Sequence, residues 1–313
     1  MGLISMGRSI DLEGYDRTLV SRLLILLVML FSVIFYIRFH DSGNSLDIYL
    51  LHGTGGLDSF IRGFYRIAAG YLAIHTLLFW MVRNPIPGSM QPLFRKDLVV
   101  KPHPSLGLER LVPFSSWTLM IFGLSMWING LISLFILFGV HPSPFLVHAG
   151  VAVFATAFSA AVLTAVVVRY VILPAMIQNG SPIDHMFLPH EQVMHNWALI
   201  LLAIELGLGW MTVQAPMVSL GLTYGALYLI FSELWALWGG GYYVYEFIDP
   251  RPRLAPYFLL GLTILCALSF VIGWFVSMIR EQNPFFAVVL LLLLVFGSTR
   301  FKNPLSLGDS VSD

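Results

Sequence analysis

Eight apolar runs divide the chain, separated by polar or Pro/Gly-rich stretches such as "RNPIPGSMQPLFRKDLVVKPHPSLGLER" and "IQNGSPIDHMFLPHE". They occupy residues 19–37, 64–82, 115–140, 147–174, 192–212, 216–239, 256–278 and 284–296. A helix needs about 20 apolar residues to cross a bilayer core, so each run predicts one span. The last run is short, and the second is interrupted by Gly70 and His75. The pattern predicts an all-α, polytopic transmembrane bundle of about eight spans. No tandem repeat or low-complexity tract interrupts it, and no loop is long enough to form a second domain.

Composition supports the same reading. The chain is 58% hydrophobic and 11% charged, with a mean hydropathy of +0.82, whereas a soluble domain carries about 25% charged residues. Net charge is zero, so no global field points to nucleic acid. The single cysteine, Cys266, lies in an apolar run, which excludes a disulfide framework and a Cys-rich metal site. The opening "MGLISMGRSIDLEGYDR" mixes both charge signs before a long apolar run, unlike a secretory signal peptide. Gly2 is present, but Met6 stands where myristoylation needs Ser or Thr.

Lys and Arg concentrate on the cytosolic side of membrane proteins. With eight spans, one side collects all but four of the 17; the exceptions are Arg38, Arg62, Arg66 and Arg280. Both termini are therefore expected in the cytosol. The "NGS" sequon at Asn179 falls on that side and is expected to stay unmodified.

Polar groups at membrane depth are costly and are candidates for function. They are Thr118 and Asn129 in the third run, His148, Thr164 and Arg169 in the fourth, His195, Asn196 and Glu205 in the fifth, and Glu233 in the sixth. The third and fifth spans both enter from the cytosolic side. Thr118 and His195 each lie about one turn in, at matched depth, as a nucleophile and its general base require. Glu205 is about 15 Å deeper on the same helix as His195, so it pairs with another helix or stays protonated through burial. Structural roles compete with these. A membrane threonine commonly bonds the carbonyl of its preceding turn, His195 fits interfacial packing, and Glu205 fits interhelical glue. Trp117, Trp197 and Trp210 read as an interfacial aromatic belt.

Several chemistries are set aside. The three lysines, Lys96, Lys101 and Lys302, lie in loops, so no retinal Schiff base is available. No HExxH or paired Cys/His spacing suggests zinc, and GxSxG is absent. "LHGTGGLDS" fits no phosphate-binding fingerprint and reads as a luminal loop. Haem ligation would need His75 and His195 at one depth, and no cofactor is expected. A lipid or proton-coupled carrier using Glu205 and Glu233 stays open, although such carriers usually show internal repeats.

Three stretches resemble the androgen-induced and androgen-dependent family of multipass membrane hydrolases, which cleave fatty acid esters of hydroxy fatty acids. They are "FSSWTLMIFGLSMWI", "MHNWALILLAIE" and "LYLIFSELWALWGGGYYVYEFIDPRPR"; "RYVILPAMIQN" resembles the segment before the family's histidine helix. The resemblance covers residues 64–280 as a six-helix core. It makes residues 1–63, with one helix, and residues 281–313, with a short helix and tail, additions to that core. It implies Thr118 as catalytic threonine and His195 as catalytic histidine, with Glu205 on the family's glutamate ten residues beyond. Trp235 and the run from Gly241 to Tyr245 match the end of the family's fifth helix, while Leu237 and Trp238 replace its histidine pair. The expected activity is hydrolysis of a lipid ester in the bilayer, with no nucleic-acid partner. Asn196 is a candidate oxyanion donor, Arg169 and the Arg251/Arg253 pair are candidates for attracting a free carboxylate, and Tyr245 and Glu205 are further substrate candidates. The endoplasmic reticulum is the expected compartment.

Overall fold

A computed structural model of the chain describes residues 16–39 and 46–305. Gly2 and Arg8, used above for lipidation and charge bias, lie outside the described residues. Helices occupy all eight expected positions. They are α1 (Thr18–Phe39), α2 (Gly56–Val82), α3 (Phe114–Leu137), α4 (Pro144–Gln178), α5 (residues 189–207), α6 (Val218–Trp238), α7 (Ala255–Gln282) and α8 (Pro284–Ser298). Among the described residues, six helices are long and apolar enough to cross a membrane. The chain is a multi-pass, all-α membrane protein. The two outside that set are α5, which is long enough but opens on polar residues at Pro189–Gln192, and the 15-residue α8, which spans about 22 Å.

Three helices change winding along their length. α2 becomes π-helical at Thr76–Val82, α4 at Val168–Ile172 and α5 at Val193–Trp197. α2 also begins eight residues before its apolar run, at Gly56, and continues through Gly70 and His75. Its glycines have a packing role. Gly63 and Gly70 on α2 and Gly123 and Gly130 on α3 repeat at seven residues and face the partner helix. A Cβ at Gly70 would come 2.8 Å from Trp127, and one at Gly130 would come 2.9 Å from Ile67. With no Cβ the two backbones approach closely, the usual way membrane helices gain contact area.

α4 is the central pillar, touching α3, α5, α6 and α7. Small residues line much of it: Ala155, Ala157, Ala160, Ala161 and Ala165 are all buried, as is Ser159. The terminal helices are built into this bundle. α1 packs on α6 and α7, joined by an Arg22–Glu233 ion pair of 2.6 Å and by the Ser21 hydroxyl, which donates to the Pro250 carbonyl at 2.8 Å. α8 packs on α5 and α7. At the face where α2 ends and α3 begins, short strands cap the bundle; Leu93–Phe94 pairs with both Val99–Val100 and Tyr242–Tyr243. Arg110 folds beneath this cap and donates to the carbonyls of Trp80, Met81 and Ile86, satisfying the end of α2.

Candidate functional site

Thr118 and His195 flank α4 at one level. The Thr118 hydroxyl is buried, donates to the Phe114 carbonyl one turn back at 3.2 Å, and lies 2.7 Å from the Thr164 hydroxyl of α4. His195 shares a pocket with Ala165 and Val168, within a turn of Thr164. Both therefore meet α4 within about one turn of each other. The structure does not place them in hydrogen-bond contact: the oxygen beside His195 Nε2 is Glu191 Oε2, at 3.4 Å. Glu191 also lies 3.5 Å from His190 Nε2 and within electrostatic reach of Arg110. α3 meets the π turn of α5 where Ser116 Oγ lies 3.9 Å from the Met194 sulfur.

Two cavities adjoin this level. The larger is apolar and partly open, and is walled by α1, the C-terminal half of α4, α6 and α7. Leu24, Ile25 and Val28 of α1 line it, as do Gly225 and Cys266, and Thr164 sits on its wall. Its roof includes Phe114, Ser115 and Tyr245. Tyr245 lies beside the backbone N–H groups of Phe114 and Ser115 and the Ser115 hydroxyl; burial outweighs these and pushes its phenol up to about 12, so it stays protonated. The smaller cavity, with room for about one water, is lined by His195, Asn196, Gln192, Arg169 and Arg300. Among the described residues no cluster of His, Cys, Asp and Glu could hold a metal ion.

Asn196 is fully committed. Its amide nitrogen donates to Gln192 at 2.6 Å and to the Arg300 carbonyl at 2.7 Å, and its oxygen accepts from the Arg300 N–H at 3.1 Å. It ties the end of α8 to α5 and has no proton to spare for an oxyanion. Arg251 is likewise engaged, by Asp249 at 2.7 Å and the Arg95 carbonyl at 2.8 Å. Arg169 Nη1 donates to the carbonyls of Phe296 and Thr299 at the end of α8.

Glu205 belongs to a separate centre. Its carboxylate makes a two-pronged ion pair with Arg66 of α2, Nε to Oε1 at 2.6 Å and Nη2 to Oε2 at 3.1 Å. Both side chains are buried. The remaining guanidinium protons go to Ser133 Oγ at 2.8 Å, His52 Nδ1 at 2.9 Å, and the carbonyls of Trp210, Leu51 and Asn129. Arg66, counted above as a loop-end charge, is therefore an interior residue. Glu233, the second carboxylate of the carrier reading, pairs with Arg22. Trp117 packs among Tyr224, Tyr228 and Phe231.

Sequence reasoning passed over Glu191, Arg66 and Arg300. A signal existed for the first, which stands four residues before His195 and so on the same helix face. Together these features define a helical membrane protein with a partly open apolar cavity beside a buried hydroxyl, and a histidine–carboxylate pair on the other side of α4. No protein-family model, curated protein or solved structure matches the chain.

Proposed function

We propose that the protein is an integral membrane hydrolase of fatty-acyl esters, with Thr118 as nucleophile and His195 as base. The observation that carries this reading is the partly open apolar cavity whose wall includes Thr164, the hydroxyl partner of Thr118. An acyl chain in that cavity would bring its ester to the level of Thr118. In the reaction, Thr118 Oγ1 exchanges Thr164 for His195, gives up its proton to the imidazole, and attacks the ester carbonyl. The alcohol departs with that proton. Water, deprotonated by the same histidine, then attacks the acyl-threonine and releases the acid, returning the proton to Thr118. Glu191 is the positioning residue for the imidazolium, and Tyr245 is the neutral donor best placed for the developing oxyanion. Catalytic contacts that are open without substrate commonly tighten in its complex.

Fatty acid esters of hydroxy fatty acids are the substrate class implied by the family resemblance. The same reading puts both termini in the cytosol and the protein in the endoplasmic reticulum. A non-enzymatic lipid carrier is the second reading. It is favoured by the Thr118–Thr164 bond, which occupies the nucleophile. Labelling by a lipophilic fluorophosphonate in membranes separates the two. The hydrolase reading expects labelling and ester hydrolysis that vanish in Thr118→Ala and His195→Ala and survive in Thr118→Ser. Wild-type protein that neither labels nor hydrolyses, yet moves lipid between vesicles, would replace it with the carrier.

A further inference from the structure

The roof of the apolar cavity is rich in hydrogen-bond donors and poor in acceptors. α3 starts there after Pro113, which supplies no side-chain cap, and the first N–H groups of a helix have no acceptor within it. The phenols of Tyr228 and Tyr245 both face the Phe114 N–H, and Tyr245 also faces the Ser115 N–H and hydroxyl. A phenol oxygen turned toward an N–H presents its lone pair there, so its own proton needs an acceptor elsewhere. Tyr228 has none. It is 4% exposed, its ring is held by Phe114 at 4.9 Å and Trp117 at 5.4 Å, and its hydroxyl makes no hydrogen bond. A buried hydroxyl left without a partner is costly, and Tyr228 lines the cavity together with Tyr245, Ser115 and Thr164. The missing acceptor is one that a ligand can bring.

The cavity also restricts what that ligand is. Among the described residues, no Asp, Glu, Lys, Arg or His lines it, and the charge whose field reaches Tyr245 is the acidic Glu191. An anionic head would enter an apolar medium with no cation to pair with. A neutral carbonyl oxygen gains the same donors without that cost. The enclosed space of about 90 Å³ corresponds to roughly six waters, which suits a head oxygen and the start of one chain rather than a two-chain lipid.

We propose that this cavity binds an uncharged, single-chain lipid ester whose carbonyl oxygen accepts from the Tyr228 phenol beside the N-terminus of α3. Binding needs no turnover, so the site stands independently of the hydrolase reading; within that reading the bound carbonyl is the one Thr118 attacks, and a substrate's free carboxylate stays outside the cavity.

The test is photo-crosslinking of a diazirine-bearing long-chain methyl ketone, which cannot be hydrolysed, to the full-length protein in zwitterionic nanodiscs at pH 8.5. Competitors are methyl oleate, 1-octadecene and oleate. Methyl oleate is expected to compete at least fivefold better than either of the others. Tyr228→Phe should erase its advantage over octadecene without lowering Tm, because the hydroxyl it removes has no partner to lose. The exposed control Tyr257→Phe should keep that advantage, and the cavity-filling Gly225→Phe should weaken crosslinking of the ketone itself. Equal competition by octadecene overturns the proposal, as does a preference that survives Tyr228→Phe. A marked fall in Tm for Tyr228→Phe also overturns it, since the phenol would then already be engaged within the protein. Stronger, Tyr228-dependent competition by oleate replaces the neutral ester with an anion. Absent hydrolysis with an intact Tyr228-dependent preference would sink the hydrolase reading alone. Hydrolysis without that preference would sink this site alone.

Discussion

Removing Glu205 should destabilise the bundle more than any other single carboxylate change. The Arg66 guanidinium is fully buried and is neutralised by Glu205 through two hydrogen bonds of 2.6 and 3.1 Å. Its other acceptors, His52, Ser133 and three backbone carbonyls, are neutral. Glu205→Leu therefore leaves an uncompensated interior cation, for which the cost is about 3–5 kcal/mol. At about 2–4 °C per kcal/mol, Tm in detergent should fall on the order of 10 °C. The double variant Arg66→Met/Glu205→Leu removes both charges together. It should lie above either single variant, although Ser133 and the Leu51 and Trp210 carbonyls then lose their donor, at about 1 kcal/mol or more each. The assay is thermal unfolding followed by fluorescence-detected size exclusion for the four members of the cycle, with the coupling energy as the readout. A Glu205→Leu protein melting within about 2 °C of wild type would refute the reasoning. So would a double variant at the sum of the singles, because no interaction would then couple the pair.

The same geometry sets other expected outcomes. A Cβ at Gly225 meets only the Cys266 sulfur, at 3.7 Å, so Gly225→Phe should fold normally and fill part of the acyl cavity. Hydrolysis or binding of long chains should then weaken by roughly fourfold per displaced methylene, at about 0.8 kcal/mol each, while short chains are spared; a uniform loss across chain lengths would count against the cavity. Asn196→Ala should speed hydrogen exchange at the Arg300 amide by tenfold or more and leave kcat within a few-fold. A fall in kcat of about 10²–10³ with unchanged exchange would make Asn196 an oxyanion donor after all. Glu109 is pushed up by burial, but hydrogen bonds from Tyr242 and His103 outweigh that and hold its pKa below the usual 4.5. Its contribution is present above the unfolded value and lost as pH falls through the folded one. Tyr242→Phe should therefore cost about 1 kcal/mol, after allowance for solvent screening, at pH 7 and converge with wild type as pH falls through the lowered Glu109 pKa; a gap in Tm that persists in acid would refute it. Thr164→Val should raise the rate of ester hydrolysis by up to about tenfold, since it removes a competing bond of about 0.5–1.5 kcal/mol; a lower rate with intact lipid binding would make Thr164 part of the machinery.

Most of the fold was legible in the chain because the bilayer imposes one simple rule on every span: backbone groups must be satisfied within the helix, so length and hydropathy suffice. All eight apolar runs became helices. Boundaries were less legible where helices extend beyond the apolar layer. α2 starts at Gly56, and its first turns carry Asp58 and Arg62, residues that a hydropathy reading assigns to a loop. Arg62 does pair locally with Asp58 at 2.9 Å, but Arg66 turns inward one turn later. An interior arginine and a surface arginine look alike in sequence until the partner helix is known.

The site was legible in its depths and hidden in its partners. Topology alone brought Thr118 and His195 to one level, and α4 meets both at neighbouring positions. It could not foresee that α4 stands between the apolar cavity and the histidine pocket, because that depends on which face of a central helix meets which neighbour. Nor does residue type announce a π turn, which inserts an extra residue and shifts the register of the downstream turns. The terminal helices show the cost of reading by resemblance alone. Treated as additions to a six-helix core, α1 and α8 had no assigned work. Yet Leu24, Ile25 and Val28 wall the apolar cavity, and Arg169 and Asn196 fasten the end of α8 beside His195. A core cut at residues 64 and 280 would lack Leu24, Ile25 and Val28 of the apolar cavity's wall and Ser298 and Arg300 of the pocket beside His195. Any activity that depends on those cavities is thus a property of the eight-helix chain.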